Sequence, residues 1–147
     1  AKRKAEEAYA AAGVPMDNFL MTAVDIERIF LIMDETDQFD EVYINFCPPC
    51  PKCRQHKHRL TPPRQLERYQ KLKAPGARLY FKTDDDDLFM ASLGYLEEAG
   101  WVTDYRTHDL HREGAPAESP RTEHEEMFAG QGIRIKYLIA HPPEENQ

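Results

Sequence analysis

The run VYINF, Val42 to Phe46, is apolar at nearly every position. A strand with one wet face alternates apolar and polar residues. One that does not alternate is covered on both faces, the situation of strands in a largely parallel sheet flanked by helices. The neighbouring sequence carries the matching punctuation. Thr61 precedes PPRQLERYQKLKAPG, where a capping hydroxyl, proline in the first turn and Gly76 at the end predict a helix in which Leu66, Tyr69 and Leu72 or Lys73 recur at helical spacing. ARLYFKT follows as a strand. DDDDLFMASLGYLEEAGW predicts a second helix, its acidic start complementing the positive end of the helix dipole and Gly100 stopping it.

WVTDYRTHDL and IRIKYLIAH read as closing strands. The segment between them begins as a Gly/Pro/Ser loop and regains a helical turn over Thr122 to Phe128. Upstream, residues 1–12 predict a helix ended by Gly13. NFLMTAV, Asn18 to Val24, has the apolar character of a strand, and Ile26 to Met33 can place Ile26, Ile29, Phe30 and Met33 on one helical face. Strands alternating with helices imply an α/β fold with a mostly parallel sheet. The last two strands leave little room for a crossover, so one of them is expected to run antiparallel. Ligands of such sheets collect at the carboxyl ends of the strands. Asp25, the segment from Asn45 onward, and Thr83-Asp84 are therefore expected along one rim.

The 147 residues suit one domain, 1–147, with a real core. No apolar run approaches the ~20 residues of a membrane span, and AKRKAEEAYAAAGVP lacks the apolar region of a secretory signal. Three closely spaced cysteines, an odd number, do not suggest a disulfide framework, and a reducing cytoplasm is the expected setting.

Charge is distributed unevenly. Between Lys52 and Lys73 stand eight cations (Lys52, Arg54, Lys57, Arg59, Arg64, Arg68, Lys71 and Lys73) against Glu67 alone, a local +7 in a chain whose total is −7. The remainder therefore sums to −14. A basic patch on an acidic protein suits a polyanion held at one place and repelled elsewhere; the plainer alternative is a solvated basic helix face. The same stretch holds Cys47, Cys50 and Cys53 at C-x2-C-x2-C spacing, with His56 at the next step of three. Those are soft ligands enough for zinc or an iron–sulfur cluster. Against that, structural zinc sites use two separated pairs, and Pro48, Pro49 and Pro51 stiffen the turn that would have to wrap the ion. Thiols that simply pack are the preferred reading, and no metal ligand is assigned.

INFCPPCPKCRQHKHRLT, ARLYFKTDDDDLF and RTEHEEMF, in that order, resemble the bacterial tRNA (guanine-N7-)-methyltransferases: their NFxDPWPKxRHxKRRLT motif, their strand ending in T-D, and their T-E-x-E segment. The resemblance covers nearly the whole chain. It implies a Rossmann-like class I methyltransferase sheet, S-adenosyl-L-methionine as cofactor, tRNA rather than DNA as partner, and methyl transfer to N7 of a guanine in the variable loop. Residue by residue it implies cofactor contacts from Asp25, Asn45 and Pro48, and substrate contacts from Lys52, Asp84, Thr122, Glu123 and Glu125. It implies RNA contacts from Arg54, His56, Lys57, His58 and Arg59. Taken singly, Asp84 could merely cap the next helix and TEHE could be a capping box.

Two departures accompany the match. Nothing before Ala1 supplies the family's Gly-rich loop or the acidic residue after its second strand, so the chain is expected to correspond to the C-terminal portion of the domain. Pro48 stands where the motif has Asp, and Cys50 where it has Trp. No catalytic acid or base is assigned, because guanine N7 carries a lone pair and no proton. The alternatives are a non-catalytic RNA-binding remnant of the fold and a small Cys-rich metal-binding domain.

Overall fold

The protein is described by a computed structural model that covers residues 2–34, 36–116 and 119–144. The chain separates into two compact units, residues 1–32 and 33–147.

In the first unit, α1 (Lys2–Ala12) ends where Gly13 takes a φ of +68°, as its sequence predicts. The i,i+4 pairs Lys2–Glu6 and Arg3–Glu7 run along it. Asn18–Val24 forms no strand, which corrects the reading above. A strand exists through ladder hydrogen bonds to a neighbour, and this segment has none; Leu20 is almost fully exposed. The helix expected over Ile26–Met33 is a 3₁₀ segment, Ile26–Leu31, interrupted by non-helical backbone at Arg28.

The second unit holds a four-stranded sheet: β1 (Phe39–Asn45), β2 (Lys73–Thr83), β3 (Val102–Thr107) and β4 (Lys136–His141), in the order β1-β2-β4-β3. β1 pairs parallel to β2, whereas β4 runs antiparallel to both β2 and β3. Three strands thus point one way and the last runs against them, an α/β arrangement with the antiparallel strand where it is expected. Its helices are α2 (Pro63–Lys71), α3 (Asp86–Glu98), the short α4 (Leu110–Glu113) and α5 (Glu123–Gly130). α4 lies in a stretch that reads as loop; Asp109 caps it by accepting from the Arg112 N–H.

The helices on one face meet the sheet through leucine and phenylalanine. Leu66 and Leu72 at α2, Leu79 and Phe81 on β2, Leu88, Phe89 and Leu96 on α3, and Leu138 on β4 are all at most 1 % exposed. The Phe81 and Phe89 rings stack at 6.5 Å, and α3 lies across β2, β4 and β3. A second apolar cluster on the opposite face gathers Leu110, Ile135, Tyr137 and Ile139, with Phe46, Tyr80, Tyr105 and Phe128 against it.

Two further expectations change. β1 is covered on one face only: Ile44, the register partner of Phe81, is buried, while Tyr43 is 49 % exposed and Asn45 is exposed. Helix α3 packs on the Ile44 side; over Tyr43 and Asn45 the described residues leave an open cleft. And Thr61 does not cap α2. Pro62 holds the cap position with no side-chain bond, while the Thr61 hydroxyl lies 2.7 Å from Ser92 of α3, both side chains buried. The helix ends at Lys71 and Gly76 falls within β2, because Lys73 onward is already drawn into the ladder with β1.

Candidate functional site

The carboxyl ends of β1 and β2 lie side by side, with Asn45 opposite Lys82, so Asn45 and the Thr83-Asp84 corner share one rim. Asp84 is half-buried, and Lys136, buried at the start of β4, donates to its backbone carbonyl at 2.8 Å and pairs with Asp86 at 3.2 Å. Asp85 rather than Asp84 caps α3, accepting from the Leu88 N–H at 2.6 Å. That leaves the Asp84 carboxylate out of the helix cap and available at the rim. Asp25 lies in the first unit, where its side chain accepts from the Glu27 N–H at 2.9 Å and caps the 3₁₀ segment.

After Asn45 the chain turns sharply. Phe46 and Cys50 both take left-handed backbone, φ 52° and 47°, which costs a non-glycine residue on the order of 1 kcal/mol or more. Phe46 is held there by its N–H to the Lys82 carbonyl at 2.9 Å and by its ring, 6.0 Å from His124 and 5.7 Å from Phe128. Pro48 is exposed on the turn. Cys47 is buried, and burial pushes its thiol up to about 11, the behaviour of a packing residue. Cys50 is half-buried and Cys53 exposed, and among the described residues no three Cys, His, Asp or Glu side chains group to hold a metal.

Lys52 then leads into a 3₁₀ segment, Cys53–His58. Lys52, Arg54, Lys57 and His58 are exposed and His56 half-buried, and no carboxylate pairs with them among the described residues. Arg59 differs. It is 4 % exposed; its Nε donates to the Pro49 carbonyl at 2.8 Å and an Nη to the Tyr95 hydroxyl at 3.2 Å. Its guanidinium is directed into the fold and ties the two ends of the motif together, so it lies apart from the exposed cationic surface.

The TEHE segment opens α5. Thr122 and Glu125 form a reciprocal capping box: the Thr122 hydroxyl accepts from the Glu125 N–H at 3.1 Å, and the Glu125 carboxylate from the Thr122 N–H at 3.4 Å. Glu123 is exposed, whereas Glu125 is 1 % exposed and serves as a hub. One oxygen lies 2.7 Å from the Lys82 ammonium and the other 2.8 Å from His111 Nε2. Burial alone would raise the Glu125 carboxyl, but the hydrogen bonds from Lys82 and His111 outweigh it and hold the group below its ordinary value of 4.5. Lys82 also donates to the Pro120 carbonyl at 2.9 Å, pinning the 119–122 segment over the sheet. Neither Lys82 nor His111 is among the sequence-derived candidates. A signal existed for Lys82, a lone cation inside the otherwise apolar LYFKT strand; His111 had none.

Between that segment and the sheet lies a cleft of about 170 Å³ lined by Tyr43, Asn45, Tyr80, Lys82, Ser119, Pro120, Thr122 and Tyr137. It brings two sequence-derived residues, Asn45 and Thr122, to one space. Tyr43 and Tyr80 stack at 4.7 Å with only 10° between their planes, and both hydroxyls donate to Glu41, at 2.6 and 3.3 Å. The bond to Glu41 first, and burial second, push the Tyr43 phenol up to about 12. Burial chiefly raises Tyr80, and Glu41 adds to it. The Glu41 carboxylate thus sits beside both hydroxyls at one edge of the ring pair.

A family model described as "Putative methyltransferase" matches residues 2–138. The tRNA (guanine-N(7)-)-methyltransferase of Clostridium perfringens (strain SM101 / Type A) is 46% identical over 140 residues, covering 95% of this chain and 64% of the relative. That of Ruminiclostridium cellulolyticum is 45% identical over 141 residues, covering 95% and 59%. The chain thus spans just under two thirds of the curated relatives it matches. Among solved structures, a Thermoplasma acidophilum protein described in the same words as the family model superposes with a TM-score of 0.53 at 11% identity, over 97% of this chain and 53% of that one. At that identity the likeness shows the fold.

Proposed function

The chain belongs to this methyltransferase family, and from that premise we propose that it contributes, within one α/β domain spanning residues 1–147, to an enzyme that methylates N7 of a guanine in the variable loop of tRNA. The observation that carries the reading is the character of Lys52, Arg54 and Lys57: exposed and unpaired among the described residues, they stand on the segment that follows the turn after β1, the strand whose end adjoins the Thr83-Asp84 corner. Cations of that kind neutralise backbone phosphates, and they position an RNA without reading its sequence. His56 and His58 add donors or stacking surfaces.

S-adenosylmethionine, when bound, supplies the methyl group on a sulfonium. Asn45, an exposed amide at a strand end, and Pro48, exposed on the turn that follows, are proposed cofactor contacts of the second unit; Asp25 is the cofactor contact proposed for the first unit. Because N7 has a lone pair and no proton, the protein needs no general base. Its task is to align N7 with the methyl carbon and to favour the positive charge that develops on the purine. Asp84 provides a carboxylate for that charge from the rim, and Thr122 and Glu123 at the start of α5 are further proposed substrate contacts. Glu125 acts through Lys82 and the Thr122 cap rather than by touching substrate. With Pro48 in place of the motif's Asp, activity is reduced rather than lost.

No helix among the described residues is long and apolar enough to cross a membrane, and the proposed setting is the cytoplasm. The test is methyl transfer from labelled S-adenosylmethionine to tRNA by the whole protein. Incorporation is expected, and it disappears when the variable-loop guanine is replaced. A tRNA bearing that guanine and acquiring no methyl group refutes the proposal.

A further inference from the structure

His111, the third partner of Glu125, has no role in the mechanism proposed above. It stands on α4, a helix of four residues that is tied down out of proportion to its length. The Leu110 N–H donates to the Ile135 carbonyl at 2.8 Å, and the Leu110 side chain is buried with Ile135, Tyr137 and Ile139. Asp109 accepts from the Arg112 N–H at one end; at the other, Glu113 accepts from the Thr107 hydroxyl at 2.6 Å. A single helical turn does not hold itself, because so few hydrogen bonds do not offset the ordering of its backbone. Here tertiary ties hold it, and they fix in place a ring that reaches α5.

The two oxygens of Glu125 are held differently. Oε2 is shared between the Lys82 ammonium at 2.7 Å and the Thr122 N–H at 3.4 Å, a long bond for an N–H donor. Oε1 has His111 Nε2 at 2.8 Å. A carboxylate only accepts, so Nε2 carries the proton and donates. The last torsion of a glutamate is broad, and a donor on one oxygen does little to define it. A second donor on the other oxygen stops the rotation. The capping box depends on that orientation, and with it the start of α5, where Thr122 and Glu123 stand.

We propose that His111 is a positioning residue for methyl transfer: it fixes the Glu125 carboxylate, and through it the Thr122–Glu123 edge of the site, without touching substrate. The inference rests on the proposed function, since it supposes that this edge meets the substrate. With no proton to move, the reaction depends on alignment, and a misplacement on the order of 1 Å can cost about 100-fold in rate.

The test uses the whole protein and two variants, His111→Gln and His111→Asn. The glutamine amide nitrogen reaches about as far as imidazole Nε2 and still donates; asparagine keeps the amide on a shorter stem. Methyl transfer to tRNA is followed at a temperature where melting curves show both variants folded. His111→Asn is expected to lower kcat by roughly 10- to 100-fold, with KM for S-adenosylmethionine unchanged. His111→Gln is expected to stay near the wild-type rate. Backbone amide exchange in residues 119–126 is expected to rise in His111→Asn and not in His111→Gln.

A wild-type kcat in His111→Asn overturns the proposal. So does a His111→Gln variant that falls as far as His111→Asn, which would make His111 a packing residue only. Failure of the proposed function shows separately, as a wild-type protein that transfers no methyl group to tRNA. The exchange measurement then still decides His111: raised exchange in His111→Asn alone upholds its grip on α5, and unchanged protection overturns it.

Discussion

Two groups of charged side chains stand near the same rim and behave in opposite ways. Lys52, Arg54 and Lys57 are exposed and have no partner among the described residues. Lys82, Glu125 and His111 form a connected cluster in which the ion pair is almost sealed from water. The exposed group contributes little to holding the fold, because each cation is already solvated in the free protein; its value lies in what it can bind. The buried group has surrendered its hydration and depends on its internal partners, so it contributes by keeping the 119–122 segment and α5 in place. Arg59 shows how narrow the boundary is. One residue beyond the exposed stretch, it belongs energetically to the second group.

The largest expected effect comes from breaking the buried pair. Glu125→Ala leaves the Lys82 ammonium uncompensated, and chemical denaturation should show a loss of about 3–5 kcal/mol. Replacing both partners together, Lys82→Met with Glu125→Leu, should recover most of that loss. If the double variant is as unstable as the single one, the cluster is not acting as a pair.

Arg59→Ala should come next, at roughly 1–3 kcal/mol, because the Pro49 carbonyl and Tyr95 lose a buried charged donor. A variant within error of wild type would return Arg59 to the exposed group.

Acid should act on the buried group alone. Glu125 is held below its ordinary value of 4.5, so its stabilisation is complete above about pH 4.5 and lost as pH falls through the lower value of the folded state. Denaturation midpoints followed below pH 4.5 should fall less steeply in Glu125→Gln than in wild type.

The smallest effect on stability belongs to the exposed group. Replacing Lys52, Arg54 and Lys57 by Ala should leave the unfolding free energy within about 0.5 kcal/mol. The same triple change should lower the slope of log affinity for tRNA against log salt by roughly 2–3, if each cation meets one phosphate. An unchanged slope would separate this surface from RNA.

The elements most legible in the sequence were those whose causes are local. α3 has its acidic cap, its apolar face and Gly100 within one stretch, and β2 and β4 carry enough continuous apolar residues to be recognised alone. Features that need a distant neighbour were misread. Thr61 has the chemistry of a helix cap, yet its hydroxyl is nearer a better partner, Ser92, thirty-one residues away. NFLMTAV has the composition of a strand but no strand beside it. In the candidate site, Asn45, Asp84 and Thr122 could be placed from their motifs. Lys82 could not, because a lysine in a strand is costly until a carboxylate forty-three residues later is shown to meet it.

Sequence by itself determined the alternation of strands and helices, the concentration of cations after β1 and the order of the motif residues, since periodicity, capping and net charge are properties of short segments. Only the tertiary structure decided which charges are solvated, which hydroxyl caps a helix and which tyrosines stack. Those outcomes depend on whether water or another side chain occupies the space around each group, and that space is made by residues far away along the chain.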